Sequence, residues 1–164
     1  MEQYSLKRMS SEQWEDYKEI RLEALRTEPS KFGSNYAKEA SYSNADWCSL
    51  LENENRAIFG LYHFDSLIGL TGVALFNGDP SKAIFFSSFV QPHHRGRGLS
   101  ALFYKERINW AKQKGCASIL VSHREGNDVS RAANQRFGFE FTHAEDVLWP
   151  DAIRAKELMY ALNI

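Results

Sequence analysis

The sequence predicts an α/β fold in one domain, and three observations lead there. Residues 56–64 and 67–76 are strand-like runs parted by Asp65-Ser66, which reads as an antiparallel hairpin. Residues 83–90 form an apolar, aromatic-rich strand that Pro92 stops, because proline cannot donate to a continuing ladder, and a helical pattern begins directly after it. No repeat, linker or low-complexity tract divides the 164 residues, so residues 1–164 are expected to form a single domain with a sizeable core.

Taken in order, residues 4–8 suit a short first strand. A helix follows, with Ser10 as N-cap and Gln13 three residues on in the manner of a capping box, and Trp14, Tyr17, Ile20 and Leu25 give it an apolar side. Pro29 and Gly33 break that helix, and a second one over residues 44–53 carries Trp47, Leu50 and Leu51. The hairpin comes next, then a turn at Asn77-Gly78-Asp79-Pro80 into the strand that ends at Val90. Leu99, Leu102 and Phe103, with Ala101, Tyr104, Ile108 and Ala111, recur at helical spacing until Gly115 caps the helix behind Lys112 and Lys114. Residues 118–123 read as a strand, 130–137 as a helix, and 140–148 with 157–162 as a final strand pair.

Composition narrows the function. The net charge is −1, and Arg95, Arg97, Lys105 and Arg107 make only a local basic patch, so neither nucleic acid nor an anionic membrane is the expected partner. Cys48 and Cys116 stand apart from one another and from any Cys/His cluster, which points away from zinc and disulfides and toward a reducing, cytoplasmic setting. Residues 1–9 lack the apolar core of a signal peptide, and no stretch approaches a membrane span.

The chemistry concentrates in Val90-Gln91-Pro92-His93-His94-Arg95-Gly96-Arg97-Gly98-Leu99-Ser100. Two glycines between a strand and a helix let the backbone bend and leave no Cβ in front of the first-turn N–H groups, where the helix dipole also favours an anion. A diphosphate fits such a loop. It is not a P-loop, since no Gly-Lys-Ser/Thr follows, and it lacks the third glycine of the dinucleotide fingerprint. One copy of Arg-Gly-x-Gly between regular elements is also unlike an RNA-binding RGG tract. His93 and His94 as a metal pair are a poor reading, because adjacent side chains on an extended chain point opposite ways.

These residues resemble the central motif of the GNAT superfamily of acyl-CoA-dependent N-acyltransferases, V-x-P-x-x-[RQ]-G-x-G-x-[GA]. Val90, Pro92, Arg95, Gly96 and Gly98 fit it, and Ser100 stands where glycine or alanine is usual. A second, looser motif of that family is matched by Asn127, Ser130, Asn134, Arg136, Gly138 and Phe139. The resemblance implies a mixed sheet of about seven strands with about four flanking helices and a V-shaped splay between the fourth and fifth strands. It also implies acetyl-CoA as acyl donor, with backbone at Phe89, Val90 and Gln91 pairing with the pantetheine amides and polarising the thioester carbonyl. Arg95, Gly96, Arg97, Gly98, Leu99 and Ser100 would hold the pyrophosphate. Asn127 and Ser130 would meet the pantetheine arm, Asn127 also serving as a helix cap.

For catalysis the same resemblance is less complete. Asn134 occupies the position at which many relatives carry a tyrosine that serves as general acid, and an amide can only orient or solvate the sulfur. Ser87 lies near where several relatives place an acidic base. His123 remains the candidate base on the fifth strand, with a packing role as the alternative. Glu23, Glu39 and Asp79 are within the fold's reach of the acceptor side. The expected activity is transfer of an acetyl group to a primary amine of a small molecule or peptide in a ternary complex, by a monomer or homodimer without a metal. The alternative is an acyl-CoA-binding regulatory module without turnover.

Overall fold

The computed structural model of the protein describes residues 3–164; Met1 and Glu2 of the expected domain lie outside the described residues. Seven strands, β1 (Tyr4–Arg8), β2 (Arg56–His63), β3 (Ser66–Phe76), β4 (Asp79–Val90), β5 (Ser118–Arg124), β6 (Glu140–Leu148) and β7 (Arg154–Asn163), form one sheet in the order β1-β2-β3-β4-β5-β7-β6. All neighbours are antiparallel except β4 and β5. The mixed sheet is therefore as expected, and its parallel pair is bridged by a helix, as a parallel connection requires.

Five helices flank it: α1 (Trp14–Thr27), α2 (Tyr36–Ala40), α3 (Asn44–Glu52), α4 (Ser100–Gln113) and α5 (Asp128–Arg136). On one face, Tyr17, Ile20 and Leu25 of α1 and Trp47 of α3 pack with Ile58, Leu70 and Phe89. On the other, Tyr104, Trp110 and Ala111 of α4 pack with Val73, Phe85, Ile119 and Tyr160. Aromatic side chains thus fill much of both layers.

Several boundaries differ from the sequence reading, each for a local reason. The turn after β3 is tighter than expected because Asp79 already pairs with Phe76, so β4 starts four residues ahead of the apolar run at 83. α1 is preceded by a 3₁₀ turn over Ser11–Gln13, with the Gln13 side chain accepting the Ser10 N–H at 3.1 Å. α2, absent from the sequence reading, has no apolar period. It is held instead by its Asn35 cap, which accepts the Lys38 N–H at 2.8 Å, and by a buried bidentate ion pair between Glu39 and Arg21 of α1 at 2.8 and 2.9 Å. Burial pushes the Glu39 carboxyl up, but the hydrogen bonds and charge of Arg21, with the Ser34 hydroxyl, outweigh it and hold the group below its ordinary range.

Candidate functional site

β4 and β5 pair only at Lys82↔Ser118, Ala83↔Ile119 and Ile84↔Leu120. Beyond those positions β4 runs on to Val90 and β5 to Arg124 without further pairing between them, which is the V-shaped splay. A cleft of about 610 Å³ occupies the gap. Its floor lies where the strands join, and its mouth lies at the loop between β4 and α4.

β4 carries a bulge inside this gap: Phe86 faces Gly72 and Phe89 faces Leu70, so one extra residue is accommodated around Ser87, whose φ of 60° is left-handed. Past the bulge, the Gln91 N–H donates to Ile68 O at 2.8 Å, and Phe89 pairs with Leu70. Val90, between them, therefore turns its N–H and C=O away from β3 and into the gap. Of the three backbone positions predicted to meet an acyl-CoA, Val90 faces the cleft. Phe89 lines it, and Gln91 lies outside. The Gln91 side chain turns the other way, donating to both Glu23 carboxylate oxygens at 3.0 and 3.2 Å.

At the mouth, Gly96 and Gly98 have φ of 78° and 72°, conformations costly for other residues. Ala101 and Leu102 donate to Gly98 O and Leu99 O at 3.2 and 3.0 Å, so α4 begins as a tight turn with its N-terminal end toward the cleft. A Cβ built on Gly98 meets no atom within 4 Å, so the space before the loop is open to an anion. Gly96, Gly98, Leu99 and Ser100 line the cleft, while Arg97 is exposed outside it. Arg95 lines the cleft as well. Its Nε donates to Val90 O at 2.7 Å, its guanidinium pairs with Glu28, and it lies 5.7 Å over the Phe89 ring. Glu28 also meets Lys31 at 3.2 Å.

Residues 28–32 form a strap over the opening on the α1 side. Glu28 holds Arg95 beside the β4 end, and Ser30 O accepts from Arg124 at the end of β5 at 3.2 Å. Asn127 caps α5, its Oδ1 accepting the Ser130 N–H at 3.1 Å, and both residues line the cleft.

The floor is built from side chains. Asn134 is 2% exposed; its Oδ1 accepts from the Tyr104 hydroxyl and its Nδ2 has no partner. Tyr104 stacks on Phe137 at 4.3 Å, and burial raises its phenol above the ordinary value against the lowering charges of Arg107 and Arg136, so it is a neutral donor at neutral pH. His123 Nδ1 is 2.8 Å from Arg124 O and Nε2 3.0 Å from the Tyr160 hydroxyl. A carbonyl only accepts, so Nδ1 carries a proton, while Nε2 meets the Tyr160 hydroxyl. His123 borders the cleft with both nitrogens engaged.

Glu39 is committed to Arg21, Glu23 to Gln91, and Asp79 to Ser81 at the far end of β4. Ser87 lines the cleft. His94 turns toward Tyr4, whose hydroxyl is 2.8 Å from Nδ1. Among the described residues no three His, Cys, Asp or Glu side chains are grouped to hold a metal, and no helix is long and apolar enough to cross a membrane. Sequence reasoning gave no site role to Glu28 or Tyr104 and put Arg107 only in a local basic patch, whereas it is buried; all three line the cleft. For Arg107 a signal existed: it follows Phe103 by four residues and Tyr104 by three on the buried side of α4, where an apolar residue is expected.

The acetyltransferase (GNAT) family model matches residues 7–139. No curated protein matches the sequence. Among solved structures, the ribosomal-protein-alanine N-acetyltransferase of Brucella melitensis is similar with a TM-score of 0.81 at 16% identity, over 98% of this chain and 99% of that one. YncA of Salmonella typhimurium, solved with its cofactor acetyl-CoA, gives 0.80 at 14% identity over 98% and 93%. An N-acetyltransferase of Staphylococcus aureus gives 0.80 at 17% identity over 98% of both chains.

Proposed function

The chain belongs to the GNAT acetyltransferase family, and from that premise we propose that it moves an acetyl group from acetyl-CoA to a primary amine of a small molecule or peptide by direct attack. The observation that carries this reading is the cleft between β4 and β5, with a helix N-terminus at its mouth and an unpartnered buried amide at its floor. In this reading the diphosphate rests against the loop at residues 95–100, and the pantetheine arm runs down the gap past Val90, Asn127 and Ser130. The two free thiols, Cys48 and Cys116, suit a cytoplasmic setting.

The amine nitrogen attacks the thioester carbonyl carbon, the C–S bond breaks, and coenzyme A leaves as a thiolate that takes up the second proton shed by the nitrogen. A backbone N–H of β4 that faces the gap deeper than Val90 supports the oxyanion of the tetrahedral intermediate. Asn134 Nδ2 donates to the departing sulfur, and Tyr104 fixes which end of that amide faces it by holding Oδ1. A thiol with a pKa near that of cysteine leaves as an anion without a dedicated acid. For the ammonium proton there are two acceptors on the cleft wall. Glu28 is the carboxylate among the described lining residues, and when Arg95 turns to the diphosphate its Oε1 is freed while Oε2 stays with Lys31. His123 serves only once Tyr160 gives up its Nε2. The geometry favours Glu28.

The test is thiol release from acetyl-CoA with a panel of amines, polyamines, aminoglycosides, amino acids and peptides. Amine-dependent steady release is expected. Tight binding of acetyl-CoA with no release above buffer would favour the regulatory-module reading, for which the absence of a tyrosine at Asn134 is the motive.

A further inference from the structure

Arg107 is 3% exposed, yet no carboxylate pairs with it. Its Nε donates to Phe103 O at 3.1 Å, and Nη1 makes two long contacts, 3.4 Å to Gly72 O and 3.3 Å to the Ser88 hydroxyl. Nη2 takes part in none of these bonds. The guanidinium lies 3.9 Å over the Phe85 ring and 5.3 Å from that of Tyr104. Buried charges are ordinarily paired, because neutral acceptors only partly replace the water they lose. Burial lowers its pKa to about 9, which leaves it charged at neutral pH. A desolvated cation with spare donors on the wall of a ligand cleft is an anion-binding group in search of its anion.

Position selects which part of the ligand meets it. Arg107 stands two helical turns beyond Ser100 on α4 and touches Ser88 and Phe85 of β4. It is therefore deeper than the phosphate loop, toward the join of β4 and β5 at Ile84 and Leu120. It also lies on the α4 face, opposite the strap that covers the α1 side. An arm anchored by its phosphates at the start of α4 presents its acyl end there.

We infer that Arg107 binds the terminal carboxylate of a short dicarboxylic acyl chain, so that the preferred donor is a succinyl- or malonyl-type acyl-CoA. This rests on the reading of the cleft as an acyl-CoA site. The transfer balances as for acetyl: the amine forms the amide bond to the acyl carbon, the C–S bond breaks, the amine loses one proton and coenzyme A thiol gains one. The distal carboxylate stays ionised and paired with Arg107 throughout.

The experiment is calorimetric binding of coenzyme A, butyryl-CoA and freshly prepared succinyl-CoA to the full chain, to Arg107→Met and to Arg107→Lys. Wild type should bind succinyl-CoA at least about tenfold more tightly than butyryl-CoA. Arg107→Met should reverse that order, and Arg107→Lys should keep part of it. Coenzyme A, which carries no acyl chain, reports that each variant is folded, and the wild-type comparison decides alone if a variant is not. Equal or tighter binding of butyryl-CoA by wild type overturns the assignment while leaving the acyl-CoA site intact; failure of all three ligands to bind overturns that site itself. In a transfer assay with acetyl-CoA, selective loss of amino-acid acceptors relative to their decarboxylated amines in Arg107→Met would place the carboxylate on the acceptor and likewise overturn it.

Discussion

At the mouth of the cleft two left-handed glycines and the first turn of α4 present backbone N–H groups, beside the Arg95 side chain. At its floor stand the side chains of Tyr104, Arg107 and Asn134, brought together from two helices. Backbone recognition tolerates a change of neighbouring side chains and selects a phosphate. Side-chain recognition depends on each residue and selects what is attached to the sulfur. In the proposed reading the first kind holds the cofactor and the second acts on its acyl end.

The largest effect should come from breaking the mouth. Gly98→Glu places a carboxylate before the phosphates and forces a side chain into φ of 72°. Coenzyme A affinity should fall at least about a hundredfold, read by calorimetry, while the far-ultraviolet circular dichroism stays native. Unchanged affinity in the folded variant would remove this loop from the phosphate site.

The two candidate bases, Glu28 on the strap over the opening and His123 on β5, can be ranked next. Glu28→Gln should lower turnover by about a hundredfold or more at saturating acetyl-CoA, as expected for loss of a general base, with coenzyme A affinity changed little. His123→Ala should cost less turnover and more stability, on the order of 1–3 kcal/mol by chemical denaturation, since it strands the buried Tyr160 hydroxyl. The reverse ranking would return the base to His123.

The smallest effects probe the floor. Asn134→Ala and Tyr104→Phe should each slow single turnover by about tenfold at most, the worth of one neutral hydrogen bond, and the double variant should add little because the two residues act through one amide. A loss beyond about a thousandfold in either would mean that the pair supplies a proton, not merely a dipole.

The contrast between the two ends also explains what was legible. Gly96, Gly98, the strand into Val90 and the helix from Ser100 are contiguous, and each type of residue there has one backbone reason to be present, so sequence spacing alone located the loop. β6, over residues 140–148, was read with its observed bounds for a similar reason, since its pattern is local. Glu28 and Tyr104 had no such legibility: what matters about them is which partner lies across the fold, and Tyr104 meets Asn134 thirty residues away. At the mouth, the Arg95 motif position was legible, while its contacts to Val90 O and Glu28 were not. The short α2 escaped detection because a buried ion pair, not an apolar stripe, anchors it.

A crystal structure of the chain with coenzyme A is the most direct test of the division between mouth and floor. It should find the diphosphate on the N–H groups ahead of α4, the pantetheine arm between β4 and β5 against Val90, and the sulfur within hydrogen-bond reach of Asn134 Nδ2. A diphosphate bound away from residues 95–100, or a sulfur directed away from Asn134, would contradict the account.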